Sequence, residues 1–180
     1  MSVESLRNSI RDTFFASYLD MLAEEKPDSA GEVATMLNYA ESTTQSIIFN
    51  EKGLLSVGYS TYSYTGGAHG NHATTLATYD LGQKKALTLT DVFLPKFEKT
   101  INKALANTAR RQFNMKPNEP LSNNLFGNSI ESTPNFCITA KGITFLYNPY
   151  EIAAYAMGEI ELFIPFAEVK SVVNPRFLSL

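Results

Sequence analysis

A single cysteine in 180 residues leaves no route to an intramolecular disulfide or a multi-cysteine metal site. Cys137 sits in the apolar run Phe136-Cys137-Ile138, which marks a buried, inert thiol rather than a nucleophile. Positive charge is also scarce: 15 Lys and Arg against 18 Asp and Glu give a net charge of −3. That balance argues against nucleic acid bound by phosphate neutralisation and against an anionic membrane surface. No stretch approaches the ~18 apolar residues of a membrane span, and Met1–Leu6 shows no basic-then-apolar signal pattern. The chain also has no G-x-S-x-G elbow, phosphate loop, dinucleotide fingerprint or H-E-x-x-H motif.

What is present is a foldable composition, 44% apolar and 18% charged, with an excess of aromatics in 12 Phe and 9 Tyr. The length fits one domain, or one domain with a helical appendage. From Val3 to about Glu24, the residues Leu6, Ile10, Phe14, Tyr18, Met21 and Leu22 recur at spacings of three and four. They predict one apolar stripe on a helix that docks on a sheet, ended by Lys26-Pro27. Residues 36–91 read as an antiparallel meander: Ser46–Phe49, a turn at Asn50–Gly53, a long strand Leu54–Tyr64, a return strand Ala73–Asp80 and a shorter one at Ala86–Leu89. In the long strand Leu55, Val57, Tyr59 and Thr61 share one face, and Ser56, Ser60, Tyr62 and Tyr64 the other; one face is core and the other polar and aromatic.

Thr90-Asp91 reads as a cap, with Pro95 placed where the first position of a helix tolerates proline. Phe97, Ile101, Ala104, Leu105 and Thr108 then trace a helical face that ends at Arg110-Arg111. Residues 114–134 read as a long loop. Three strands follow, at Asn135–Thr139, Ile143–Tyr147 and Glu159–Ile164, and Pro165 starts a short helix through Val169.

The segment Tyr62-Ser-Tyr-Thr-Gly-Gly-Ala-His-Gly-Asn-His72 gathers two tyrosines, three glycines and both histidines of the chain. Gly66 and Gly67 permit backbone conformations that other residues avoid. His69 and His72 have an H-x-x-H spacing that suits two metal ligands, yet the loop holds no third, and Asp80, Glu151 or Glu159 would have to arrive through the fold. Otherwise His69 bonds the loop backbone and His72 is solvated. Tyr62, Tyr64, Tyr147, Tyr150 and Tyr155 form either a shared recognition surface or ordinary packing. Packing suits Tyr62 and Tyr147, next to the strand core, whereas Tyr150 and Tyr155 in the loop 148–158 remain open to recognition. Glu151 either has its pKa raised for acid–base work or, as a plain carboxylate, pins its loop by accepting backbone hydrogen bonds.

Three motifs in order, Tyr64-Thr-Gly-Gly-Ala-His-Gly70, Asp80-Leu-Gly with Leu87-Thr-Leu-Thr-Asp91-Val-Phe93, and Tyr147-Asn-Pro-Tyr-Glu-Ile-Ala-Ala-Tyr-Ala-Met-Gly158, resemble the RsiV-like extracytoplasmic domain. That family occurs outside bacterial membranes, in anti-sigma factors that sense lysozyme and beside polysaccharide deacetylase domains. The resemblance covers about Asn38 to Val169 and implies an α+β fold, an envelope location and a non-catalytic recognition role with no known active site. The helix Val3–Glu24 would correspond to the smaller α+β region that usually precedes this domain, here truncated because the strands ahead of the helix are absent.

The expectation is therefore an α+β fold, with an antiparallel sheet packed against two main helices, a helical region over 1–37 and the main domain over 38–180. The protein is expected to be extracytoplasmic, secreted or lipid-anchored in its full length, with no cofactor and no metal. Its partner would be a lysozyme-like protein or a cell-wall glycan, bound through Tyr62, Tyr64, His69, Tyr147, Tyr150, Glu151 and Tyr155. Gly66, Gly67, Gly70 and Gly158 would shape the loops. Two alternatives stand beside this: a hydrolase of wall polymers using His69, His72 and Glu151, and a purely structural role in which Gly66, Gly67 and His69 shape a turn.

Overall fold

The computed structural model describes residues 3–24, 40–66 and 68–180. Helix α1 spans Val3–Glu24 with Glu4 in its first turn, as the spacing predicts. The side chains of its apolar stripe, with the docking expected of them, and Gly67 of the glycine loop lie outside the described residues.

Among the described residues seven strands form two antiparallel sheets, which with the helices make the expected α+β fold. The first sheet is a meander of β1 (Ala40–Glu51), β2 (Leu54–Tyr64), β3 (Asn71–Asp80) and the two-residue β4 (Lys85–Ala86). The second contains β5 (Phe136–Thr139), β6 (Gly142–Tyr147) and β7 (Ile160–Pro165). Strands β1 and β2 join through Lys52 and Gly53, whose φ values of 53° and 75° have the sign that both central residues of a type I′ hairpin turn require.

Helix α2 (Leu89–Val92) opens with a capping box between Thr88 and Asp91, two residues earlier than the predicted cap. Helix α3 (Glu98–Gln112) buries Ile101, Ala104, Leu105, Thr108 and Ala109, the face the periodicity predicts, and carries Arg110 and Arg111 in its last turn. Its N-cap is Phe97, so Pro95 lies ahead of the helix rather than at its first position. Pro165 caps the short α4 (Phe166–Val169).

The second sheet is sandwiched. Phe136, Ile138, Ile143, Phe145, Tyr147, Ile160, Leu162 and Ile164 face the main core with α3, and Leu146 and Cys137 face Leu76 of the first sheet. The segment 114–134 contributes Leu121, Leu125 and Ile130 to the main core, each at most 5% exposed. It is therefore a packed excursion, anchored by three apolar side chains spaced too irregularly to register as a helix or strand.

One expectation about the first sheet is reversed, the choice of the buried face of β2. Strand β1 is exposed along nearly its whole length, with Ile47 71% exposed, and a bulge between Ile47 and Phe49 breaks its register. In β2 the buried face is the small and polar one, Leu54, Ser56 and Gly58, while Leu55 and Val57 are half-buried and Tyr59 is exposed. The reason is a close approach of the two sheets. Ser56 Oγ lies 2.6 Å from the Ile138 carbonyl of the second sheet, so bulk at this position would hold the sheets apart, whereas a Cβ on Gly58 would crowd its own sheet, 2.9 Å from Ser46 Oγ on β1 and 3.6 Å from a Leu76 methyl on β3.

Side chains seal the facing strand edges. Strand β5 is an edge strand, and the N–H of Ile138 donates to Thr78 Oγ1 (2.9 Å) while its carbonyl accepts from Ser56 Oγ (2.6 Å). Since the Ser56 proton is used there, Thr78 must donate in the 2.8 Å contact between the two hydroxyls. The three bonds close a ring across the sheet junction. On β3, which β4 covers only at Tyr79 and Asp80, the Asn135 amide takes the N–H of Leu76 (2.6 Å) and donates to the Thr74 carbonyl (2.8 Å). The Asn148 amide takes the N–H of Thr74 at 2.7 Å. These side-chain amides stand in for a missing strand and satisfy the edge donors of Thr74 and Leu76.

Candidate functional site

The loop 65–70 between β2 and β3 meets the loop 148–158 between β6 and β7, so two of the motifs become one surface. Each loop is fixed by its own backbone chemistry. Gly66 takes φ 92° and Gly158 takes φ 66° with ψ −154°, a combination essentially restricted to glycine. In the second loop the Asn148 N–H donates to Glu151 Oε2 (2.9 Å) and the Glu151 N–H to the Asn148 carbonyl (3.0 Å). Glu151 thus pins its loop as an exposed carboxylate.

Tyr155 is the hub. Its ring stacks on His69 with centroids 4.1 Å apart, meets His72 edge-on at 5.7 Å and lies 5.7 Å from Tyr150. Its hydroxyl donates to the Gly70 carbonyl (2.5 Å), which also lies 3.0 Å from His69 Nδ1. A carbonyl can only accept, so this contact places the proton of a neutral His69 on Nδ1. Gly70 itself is buried beneath the Tyr62 ring, where a Cβ would come within 2.5 Å of that ring.

Tyr150 sits at φ 70°, a left-handed conformation costly for a bulky residue, and is 60% exposed. Tyr62, His69, Tyr150 and Tyr155 therefore belong to one partly exposed aromatic cluster, with His72 at its side. Tyr147 does not. It is 4% exposed, its hydroxyl donates to the Glu131 carbonyl (2.6 Å), and burial pushes its pKa well above the usual tyrosine range. This corrects its place among the binding residues: it is core, because it shares the inward face of β6 with Ile143 and Phe145. Tyr64 is half-buried at the end of β2.

Phe126 is a surface residue that the sequence reading missed. It is 62% exposed, and its N–H donates to the Ile152 carbonyl (2.9 Å), which ties a third loop to the aromatic one. Its only sequence signal is a large ring before Gly127 inside a non-periodic segment. Asn135 and Asn148 were missed as edge seals, although Asn148 lies inside a quoted motif.

Three further titratable groups have environments that explain them structurally. Asp80 is buried against Arg176 and accepts from the Gln83 N–H (2.8 Å); Arg176 and that bond hold its carboxyl below the usual range. Asp91 is lowered to about 2 by Lys85 and by its Thr88 bonds. Burial, with Glu161 adding to it, raises the Cys137 thiol to about 11, in keeping with an inert cysteine. Among the described residues no three His, Cys, Asp and Glu side chains gather in a metal-ligand arrangement, and no helix is long and apolar enough to cross a membrane.

The fold and surface define a two-sheet α+β domain with an aromatic loop cluster. Residues 90–167 match the family described as a protein of unknown function, DUF3298, and residues 2–72 match the family described as Deacetylase PdaC. The two matches follow one another along the chain, the PdaC match ahead of the DUF3298 match, and each covers less than half of it. It is similar to the crystal structure of a DUF3298 family member from Bacteroides fragilis NCTC 9343, with 26% identity, a TM-score of 0.85, and coverage of 99% of this chain and 73% of that one. A DUF3298 family protein from Pseudomonas aeruginosa PAO1 shares the fold at 24% identity and TM-score 0.70, covering 92% of this chain and 71% of that one. No match is found among curated proteins.

Proposed function

We propose that this chain is a non-catalytic recognition module of the bacterial cell envelope that binds a cell-wall glycan on the surface made by Tyr62, His69, Tyr150 and Tyr155. The observation that carries this reading is the convergence of two loops on one aromatic cluster, crowned by an exposed Tyr150 held in a costly backbone conformation. Strain of that kind persists where the surroundings over-determine it, and such positions cluster at ligand clamps. Flat rings with polar tips offer apolar contact and a hydrogen-bonding edge together, which suits the faces and hydroxyls of sugars. The PdaC-like region is in keeping with an extracytoplasmic location beside wall polymers.

A hydrolytic role for His69, His72 and Glu151 receives no support from the geometry. The two histidines are engaged with Tyr155 and Glu151 with its own loop. The second reading is a protein ligand of the lysozyme kind, since Tyr150 and Phe126 are exposed large rings of the sort that protein interfaces bury.

A thermal-shift titration against soluble peptidoglycan fragments and against lysozyme separates the two readings, because a ligand bound only by the folded state raises the midpoint with its concentration. A saturable shift with the fragments supports the glycan reading, and a shift with lysozyme alone replaces it with the protein reading. A flat response to both moves the cluster to a purely structural role.

A further inference from the structure

Behind the aromatic loop, at the junction of the two sheets, lies a cavity of about 310 Å³ lined by Ser46, Ser60, Thr74, Thr144, Glu159 and Glu161, with Cys137 and Leu76 also in its wall. The volume falls at the lower end of the range of ligand clefts, about 300–1,000 Å³, and suits a single ring rather than an extended chain. Its charge is one-sided, with four hydroxyls and two carboxylates among the lining side chains and no basic group among the described residues that line it. On β7 the alternation that sends Ile160 and Leu162 into the main core sends Glu159 and Glu161 to the opposite face of the sheet. Glu159 accepts from Thr74 Oγ1 (2.9 Å), whose contact with Ser60 Oγ (2.8 Å) extends the polar wall along β2 and β3.

We propose that this cavity is a subsite for the ring of an amino sugar with a free, protonated amine. The ammonium would pair with Glu159 and Glu161, and the ring hydroxyls would bond to Ser46, Ser60 and Thr144. Two carboxylates that have no cationic side chain beside them among the described residues favour a positive guest, and a hydroxyl-lined wall favours one rich in donors and acceptors. A neutral acetamido group would forfeit the ion pair and bring a bulkier substituent. The cavity is continuous in sequence and in bonding with the aromatic loop: Glu159 follows Gly158, and Thr74 bonds both Glu159 and Asn148. One oligosaccharide would therefore touch both. The inference rests on the glycan reading and deepens it by naming the sugar.

Calorimetric titration of the full chain with a glucosamine tetramer, and with its fully N-acetylated counterpart, tests it. The expected result is saturable, salt-sensitive binding of the free-amine oligomer and at least roughly ten-fold weaker binding of the acetylated one. Glu159→Gln, which keeps an acceptor for Thr74, and Glu161→Gln, at an exposed position, are each expected to weaken the free-amine oligomer roughly ten-fold or more without moving the thermal midpoint. Equal binding of the two oligomers, or wild-type affinity in both Gln variants, would overturn the amine subsite while leaving the glycan reading in place. Absence of binding by either oligomer would overturn both.

Discussion

Removing the Ser56 hydroxyl probes the junction between the sheets. Ser56 is fully buried, donates to the Ile138 carbonyl and accepts from Thr78, so Ser56→Ala leaves one carbonyl and one hydroxyl without those partners. Each buried group left unsatisfied costs about 1–3 kcal/mol, which sums to about 2–6 kcal/mol. For a chain of this size, at about 2–4 °C per kcal/mol, that lowers the thermal midpoint by roughly 4–24 °C. Thr78→Val, by contrast, orphans the Ile138 N–H. In the double variant the Thr78 hydroxyl that Ser56→Ala would strand is itself gone, so the two losses overlap. Denaturant unfolding of the wild type, both single variants and the double variant closes the cycle. The expected coupling is about 1 kcal/mol or more, the double variant losing less than the sum of the singles. A loss below about 0.5 kcal/mol for Ser56→Ala, or strict additivity, would show that the hydroxyl ring does not hold the sheets together.

Three further outcomes follow from the same geometry. Asp91, Asp80 and Glu119 all have carboxyls held below their ordinary values, so each contributes stability that is present above about pH 4–5 and is lost as pH falls through the folded value; for Asp91 that runs from 3.8 to about 2. The thermal midpoint should stay level between pH 5 and 7 and fall below about pH 4.5, and Asp91→Asn should flatten part of that fall. Tyr147→Phe should cost about 1–2 kcal/mol by chemical denaturation, through the lost bond to Glu131, and leave ligand binding unchanged. Gly70→Ala should push the Tyr62 ring aside, cost about 1–3 kcal/mol and weaken glycan binding, read by calorimetry on the folded variant.

Periodicity made α3 legible down to its buried face, because a helix on a hydrophobic core must repeat every three to four residues. Strands β5 to β7 were legible for a similar reason, as short apolar runs between turns. The first sheet was misread where a polar junction overrode hydrophobic patterning. Ser56, Thr74 and Thr78 are buried because each has a partner that sequence cannot display, such as the backbone of Ile138, 60 residues beyond Thr78. A rule that places apolar residues inside therefore chose Leu55 and Val57 over Ser56 and Gly58. At the candidate site the residue types were legible, but the meeting of His69 with Tyr155, 86 positions apart by their numbers, depends on the register of both sheets. In the sequence Tyr150 and Tyr155 stand alike in the loop 148–158, both open to recognition. The hydroxyl bond of Tyr155 to Gly70 and its stack on His69 make it a strut, so truncating it would disturb the loops as well as any contact.

Tyr150 is thus the cleaner probe of the central claim. It is 60% exposed, and the loop around it is held by backbone bonds and by Glu151. The decisive measurement is the affinity of wild type and Tyr150→Ala for soluble peptidoglycan fragments by calorimetry, with thermal midpoints recorded on the same samples. The predicted result is saturable binding by wild type and at least roughly ten-fold weaker binding by the variant, with midpoints within a few degrees of each other. Equal affinity in the two proteins, or no binding by wild type, would contradict recognition at the aromatic cluster.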